Sequence, residues 1–152
     1  MQKYCLGINS LQKDRFDDAL KFFVESKSLL PDKLNVDSLI QNTRISKAFN
    51  DKNYEQFLQL ALEHEKNNPT SHFAIAQVAS AYACIYAIKG QPEFKDKTMD
   101  YLGKAEKQTD DSSRKDFEEY RDRILHRLST RKIITREQYY QQIGKPVPGG
   151  KP

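Results

Sequence analysis

The chain has 152 residues, of which 38% are apolar and 30% charged, with a formal net charge of +4. That is long enough for one domain or a short repeat array, and too apolar for a disordered chain. The two cysteines exclude a disulfide scaffold, no stretch reads as a signal peptide or a membrane span, and three of the six Gly and three of the six Pro fall in the last nine residues, so the body reads as all-helical.

The elements come in pairs along the chain. "MQKYCLGINSLQK" offers Tyr4, Leu6, Ile8 and Leu11 as the apolar side of a first helix. "FDDALKFFV" places Phe16, Ala19, Leu20, Phe23 and Val24 at i, i+3, i+4, i+7 and i+8, which is one face of an amphipathic helix and no strand pattern. "VDSLIQNTRISKAFN" then supplies Leu39, Ile40, Ile45, Ala48 and Phe49, followed by "YEQFLQLAL" with Tyr54, Phe57, Leu58, Ala61 and Leu62. The second stripe superimposes on the first at a shift of 38 residues, which also carries Pro31 onto Pro69. The long Ala-rich "TSHFAIAQVASAYACIYAIKG" has Thr70 and Ser71 as cap candidates and Gly90 as a stop. Tyr82 and Tyr86 within it read as packing residues. "FKDKTMDYLGKA" closes the third pair with Phe94, Thr98, Tyr101, Leu102 and Ala105.

Self-similarity at this period marks a solenoid of helix pairs. The opening stretch resembles a tetratricopeptide repeat through Leu6-Gly7, Ala19, Phe23, Ser26 and Pro31, although Lys3 and Ser10 depart from the signature. The third pair is similar through Ala83, Tyr86, Gly90 and Ala105, and the resemblance covers roughly residues 3–110. It implies a right-handed α-α superhelix of about three helix-turn-helix repeats, spanning 1–111. Gly7 and Ala19 would then mark the crossing of two helices, Phe23 would fill the space to the next hairpin, and Pro31 would turn the chain.

A repeat array needs a terminal helix with a polar outer side. Residues 112–144 supply a capping helix and a short terminal helix: Ser112 or Ser113 opens the first, with Phe117, Tyr120, Ile124, Leu125 and Leu128 on one face. Thr135 and Gln138 form a capping box for the second, Arg136 to Ile143, ended by Gly144 and Pro146. Ile133, Ile134, Tyr139, Tyr140 and Ile143 pack this piece back onto the array or form an apolar edge for a partner. Residues 145–152 read as a mobile tail or linker.

Residues 114–136 carry eight Lys/Arg against four acids, which accounts for the whole net charge. Such a helix either touches nucleic acid or anionic lipid, or is a solvated face with Arg–Glu pairs such as Glu119–Arg123; the second reading fits better, because no stacking pattern for bases accompanies the charge. His64, His72, His126, Cys5 and Cys84 are too scattered to form a ligand set, and no phosphate loop or catalytic constellation occurs. No metal, no cofactor and no enzymatic activity are expected. In the family resembled, first helices line a groove for a peptide or partner; the corresponding positions are Tyr4, Ile8 and Leu11, then Asn42, Ser46 and Asn50, then Gln77, Ser80 and Cys84. The clamp positions that grip chaperone tails hold Tyr4, Ile8, Thr43, Gln77 and Ala81, none of them a cation, so that mode is not expected. The resulting expectation is a protein–protein interaction module, cytoplasmic, with an accessory domain of a larger chain docking in cis as the alternative.

Overall fold

The computed structural model describes residues 20–21 and 36–147, with side chains from 39 onward in the second span. Six helices are assigned among the described residues, and no strand: α1 (Val36–Asn50), α2 (Tyr54–Asn67), α3 (His72–Lys89), α4 (Pro92–Glu106), α5 (Arg114–Thr130) and α6 (Arg136–Ile143). The all-α expectation holds. The chain divides into two compact units, 1–64 and 65–152.

In the first unit, α1 and α2 form an antiparallel pair. Gln41 Nε2 donates to the Leu60 carbonyl at 3.1 Å, while Phe49, at the other end of α1, packs edge-on against Phe57 at 5.8 Å and Tyr54 at 6.2 Å. The turn is three residues long and closes on Lys52 in the left-handed region, φ 59°. Asn53 then starts α2, its Oδ1 accepting from the Gln56 N–H at 3.2 Å. The stripe read from the sequence points inward, with Ile40, Ile45, Ala48, Phe57 and Ala61 all buried. Thr43 is buried with them, its hydroxyl donating to the Leu39 carbonyl at 2.6 Å, a polar core position the apolar pattern passes over.

The second unit is built around α3. Ser71 Oγ accepts from the Ala74 N–H at 3.2 Å, and Gly90, at φ 69°, ends the helix with its N–H on the Tyr86 carbonyl at 2.7 Å. Between these caps twelve of the eighteen residues are buried, because small alanines let neighbours approach from several sides. Ala76, Ala79 and Ala83 join Ile75 in a cluster with Leu102 and Ala105 of α4 and Phe117, Ile124 and Leu128 of α5. Fully burying a side chain the size of Phe117 is worth about 1.5–3 kcal/mol, so this cluster dominates the unit's stability.

Pairings fix the directions. Tyr82 stacks on Tyr101 at 5.7 Å and Phe94 at 6.5 Å, while Lys89, later in α3, lies over Phe94 at 5.9 Å; α4 therefore returns antiparallel. Phe73 meets Tyr120, Ser80 meets Arg127 and Ala87 meets Arg131, so α5 runs parallel to α3. Tyr82 and Tyr86 are both half-buried packing residues, as the spacing implies.

The connection into α5 differs from the expected serine cap. Ser113 occupies the cap position without a side-chain bond to the helix. Asp110 organises the turn instead, its Oδ1 accepting from the Ser112 hydroxyl at 2.7 Å and the Ser113 N–H at 2.9 Å. Those bonds, the Ser112 hydroxyl's first, hold its carboxyl down at about 2. The Thr135–Gln138 capping box is present in both directions, and Gly144, at φ 70°, ends α6. This helix folds back: Tyr140 is buried, His126 packs on Tyr139 at 5.2 Å, and Arg136 bonds Glu119 at 2.7 Å.

Candidate functional site

The nine groove positions meet different fates. Tyr4, Ile8 and Leu11, with the signature residues Gly7, Ala19, Phe23 and Pro31, lie outside the described residues. Asn42, Ser46 and Asn50 are exposed on α1, four residues apart and so on one face. Gln77, Ser80 and Cys84 are buried, which withdraws them from any solvent-facing surface. At Ser80 the cover comes from α5, where Arg127 Nη1 donates to the Ser80 hydroxyl at 2.8 Å and to its carbonyl at 3.2 Å. Cys84 is a free thiol whose pKa burial pushes up to about 11, with Arg127 pulling weakly the other way.

The basic segment 114–136 is woven into the fold. Arg127 is buried on Ser80; Arg131 donates from Nε to the Ala87 carbonyl at 3.3 Å and lies over Tyr86 at 5.8 Å. Arg121 bonds Asp122 at 3.2 Å and Arg114 approaches Glu106 at 3.9 Å. The expected Glu119–Arg123 pair is superseded. Arg136, one helix further on, hydrogen-bonds Glu119 and lowers its pKa, with Arg123 adding only a weaker pull. Arg136 wins because it approaches from α6 with a direct bond.

Near the N-terminal ends of α3 and α5 a cleft of about 310 Å³ opens. Phe73, Ala76, Phe117 and Tyr120 form its apolar lining, and His72, Asp116, Glu119 and Arg123 its polar one. Phe73 keeps 45% of its surface exposed and faces Tyr120 at 5.8 Å with the rings tilted by 56°. The Arg123 guanidinium lies over Tyr120 at 5.1 Å, and its Nε is enclosed with no hydrogen-bond partner. Apolar lining with a few converging polar groups, at the lower end of ligand-site volumes, is suited to one ring-sized group with a polar attachment.

No family model matches the chain, and no curated protein or solved structure matches it either. Among the described residues, no group of three or more His, Cys, Asp or Glu side chains could hold a metal ion, and no helix is long and apolar enough to cross a membrane.

The cleft lies beside the positions read from the sequence, one helical turn nearer the start of α3. Phe73 carries a signal, being a large ring at the edge of an alanine-dominated helix. Arg123 carries one too, since it follows Tyr120 by three residues and so shares its face. Counting the arginines as one charged block hides their separate aromatic neighbours.

Proposed function

We propose that the chain is a non-catalytic protein–protein interaction module, a tetratricopeptide-like array of helical hairpins that holds a peptide or partner protein. The observation that carries this reading is directional: a short-turn antiparallel pair, α3 and α4, is followed by α5 running parallel to α3, as the first helix of a next hairpin would. A second short-turn pair, α1 and α2, precedes it. Support also comes from the buried polar groups, whose hydrogen bonds serve packing: Thr43 and Thr98 bond back within their helices, and Ser80 serves Arg127. Right-handed superhelical stacking, a cytoplasmic location and the absence of catalysis belong to the same proposal. The free buried thiol of Cys84 accords with a reducing compartment.

Two experiments test it. Titration of the labelled protein with a broad peptide library, followed by NMR, is expected to give saturable shifts on exposed α1, α3 or α5 residues; a flat response across the library counts against the module. Gly7→Leu and Phe23→Ala are each expected to destabilise the chain by about 2–5 kcal/mol, through clash and cavity respectively. Full tolerance of both would remove the tetratricopeptide reading.

A further inference from the structure

The α3–α5 cleft combines a water-exposed ring with a cation that lacks a committed acid. Phe73 is one of the few large apolar side chains left open, at 45% exposure, on a helix whose other apolar residues are mostly buried. It meets Tyr120 at a tilt, and its open side faces the cleft, where a further ring can pack edge-on or offset. Arg123 stands over Tyr120 and makes no hydrogen bond among the described residues. Glu119, the carboxylate one turn before it, is held at 2.7 Å by Arg136. A ring seated in the cleft against the open side of Phe73 stays close to that guanidinium, since Phe73 and Arg123 stand 5.8 and 5.1 Å from the same Tyr120 ring. Consecutive peptide residues, about 3.8 Å apart at Cα, span such a gap with their side chains.

From this geometry we infer that the cleft binds a peptide segment in which an aromatic residue is followed by an acidic one, the ring packed against the open side of Phe73 and the side-chain carboxylate taken by Arg123. The inference rests on the interaction-module reading and gives it a partner chemistry and a place. The groove positions inferred from the sequence hold no cation; α5 supplies one from the side. Arginine presents paired donors to a carboxylate and stacks on an aromatic face at the same time, which lysine does not. Asp116 at the rim sets the sign of the rest of the ligand, opposing a second acid there.

The full chain, isotope-labelled, is titrated with the capped peptides Ac-Gly-Phe-Asp-Gly-NH2 and Ac-Gly-Phe-Asn-Gly-NH2. Saturable shifts are expected at the amides of Phe73, Ala76, Tyr120 and Arg123, with the acidic peptide binding about fivefold or more tightly than its amide counterpart. Arg123→Gln should erase that preference, and Phe73→Ala, at an exposed position that leaves the core alone, should weaken both peptides. Equal binding of the two peptides, a preference that survives Arg123→Gln, or silence at the cleft would overturn the inference. Shifts confined to the Asn42, Ser46 and Asn50 face would overturn it and leave the module reading standing, whereas a chain that answers no peptide anywhere fails both.

Discussion

Lys52 and Arg131 share a strained backbone for different reasons. Both follow a helix end with φ near 60°, at 59° and 57°, where a side chain costs about 1–2 kcal/mol relative to glycine. The Lys52 side chain is exposed, so Lys52→Gly should stabilise the protein by about 0.5–1 kcal/mol after the entropy of the freer unfolded chain is subtracted. Arg131 uses its side chain: it bonds the Ala87 carbonyl, covers Tyr86 and lies so close to Gly90 that a Cβ there would meet Nη2 at 2.8 Å. Arg131→Gly should therefore destabilise, by about 1–2 kcal/mol. Urea denaturation of the two variants checks this, and shifts of the same sign would mean that Arg131 is held by nothing but its backbone. Cys84 gives a second prediction at this scale. Its folded pKa of about 11 lies above the ordinary 9.0, so between pH 9 and 11 the unfolded state has lost a proton that the native state keeps. Stability should fall across that window and be flat just below it. In a Cys5→Ser background, a thiol reagent at pH 8 should label Cys84 only at the rate at which the protein opens; immediate labelling would contradict its burial.

At the scale of elements, each helix follows from its stripe and its ends, and the exceptions are polar. In α4, Thr98 occupies a core position at 0% exposure with its hydroxyl on the Phe94 carbonyl at 2.8 Å, one turn back in the same helix. Because that bond is local, Thr98→Val removes donor and need together and should change stability by less than about 1 kcal/mol. Leu102→Ala, four residues on in the same stripe, should cost about 2–5 kcal/mol by leaving a cavity among Ile75, Phe117 and Ile124. Comparable losses in the two thermal unfolding curves would refute the assignment of Thr98 as self-satisfied. The docking of α6 rests on fewer contacts. Glu119 is held below its ordinary carboxylate range, first by the Arg136 bond, so its contribution is present above pH 4.5 and disappears as the pH drops through the lowered value. Hydrogen exchange should show residues 136–143 losing protection on acidification before α3 does, and Glu119→Gln should bring that loss to neutral pH. The stripes, the Ser71 and Gly90 caps and the Thr135–Gln138 box were legible because each depends on residues a few positions apart. The Arg136–Glu119 bond and the burial of Ser80 under Arg127 were not, since partners 17 and 47 residues apart meet only after the helices are packed. For the same reason Gln77, Ser80 and Cys84 read as groove positions, though α5 and close packing bury that part of α3.

For the whole molecule, the question is what a charge of +4 concentrated in one segment does in solution. Counterion release makes phosphate binding a count of basic groups free to meet phosphates, at a slope of about −0.9 in log affinity per log salt for each on duplex DNA. Of the eight basic residues in 114–136, Arg114, Arg121 and Arg136 face carboxylates, Arg127 and Arg131 are bound to α3, and Arg123 lies on Tyr120. Lys115 and Lys132 remain, both exposed on the helix and just past its end. Arg123 makes no hydrogen bond among the described residues and counts with them, whereas for the other five a phosphate backbone would have to compete with intramolecular bonds. Duplex DNA is therefore expected to bind weakly, with a salt slope no steeper than about −3. The measurement is fluorescence anisotropy of a labelled duplex between low and physiological salt. A slope near −5 or beyond would mean that the arginines release their partners to meet DNA, and would replace the peptide-binding reading of the α5 face with a nucleic-acid one.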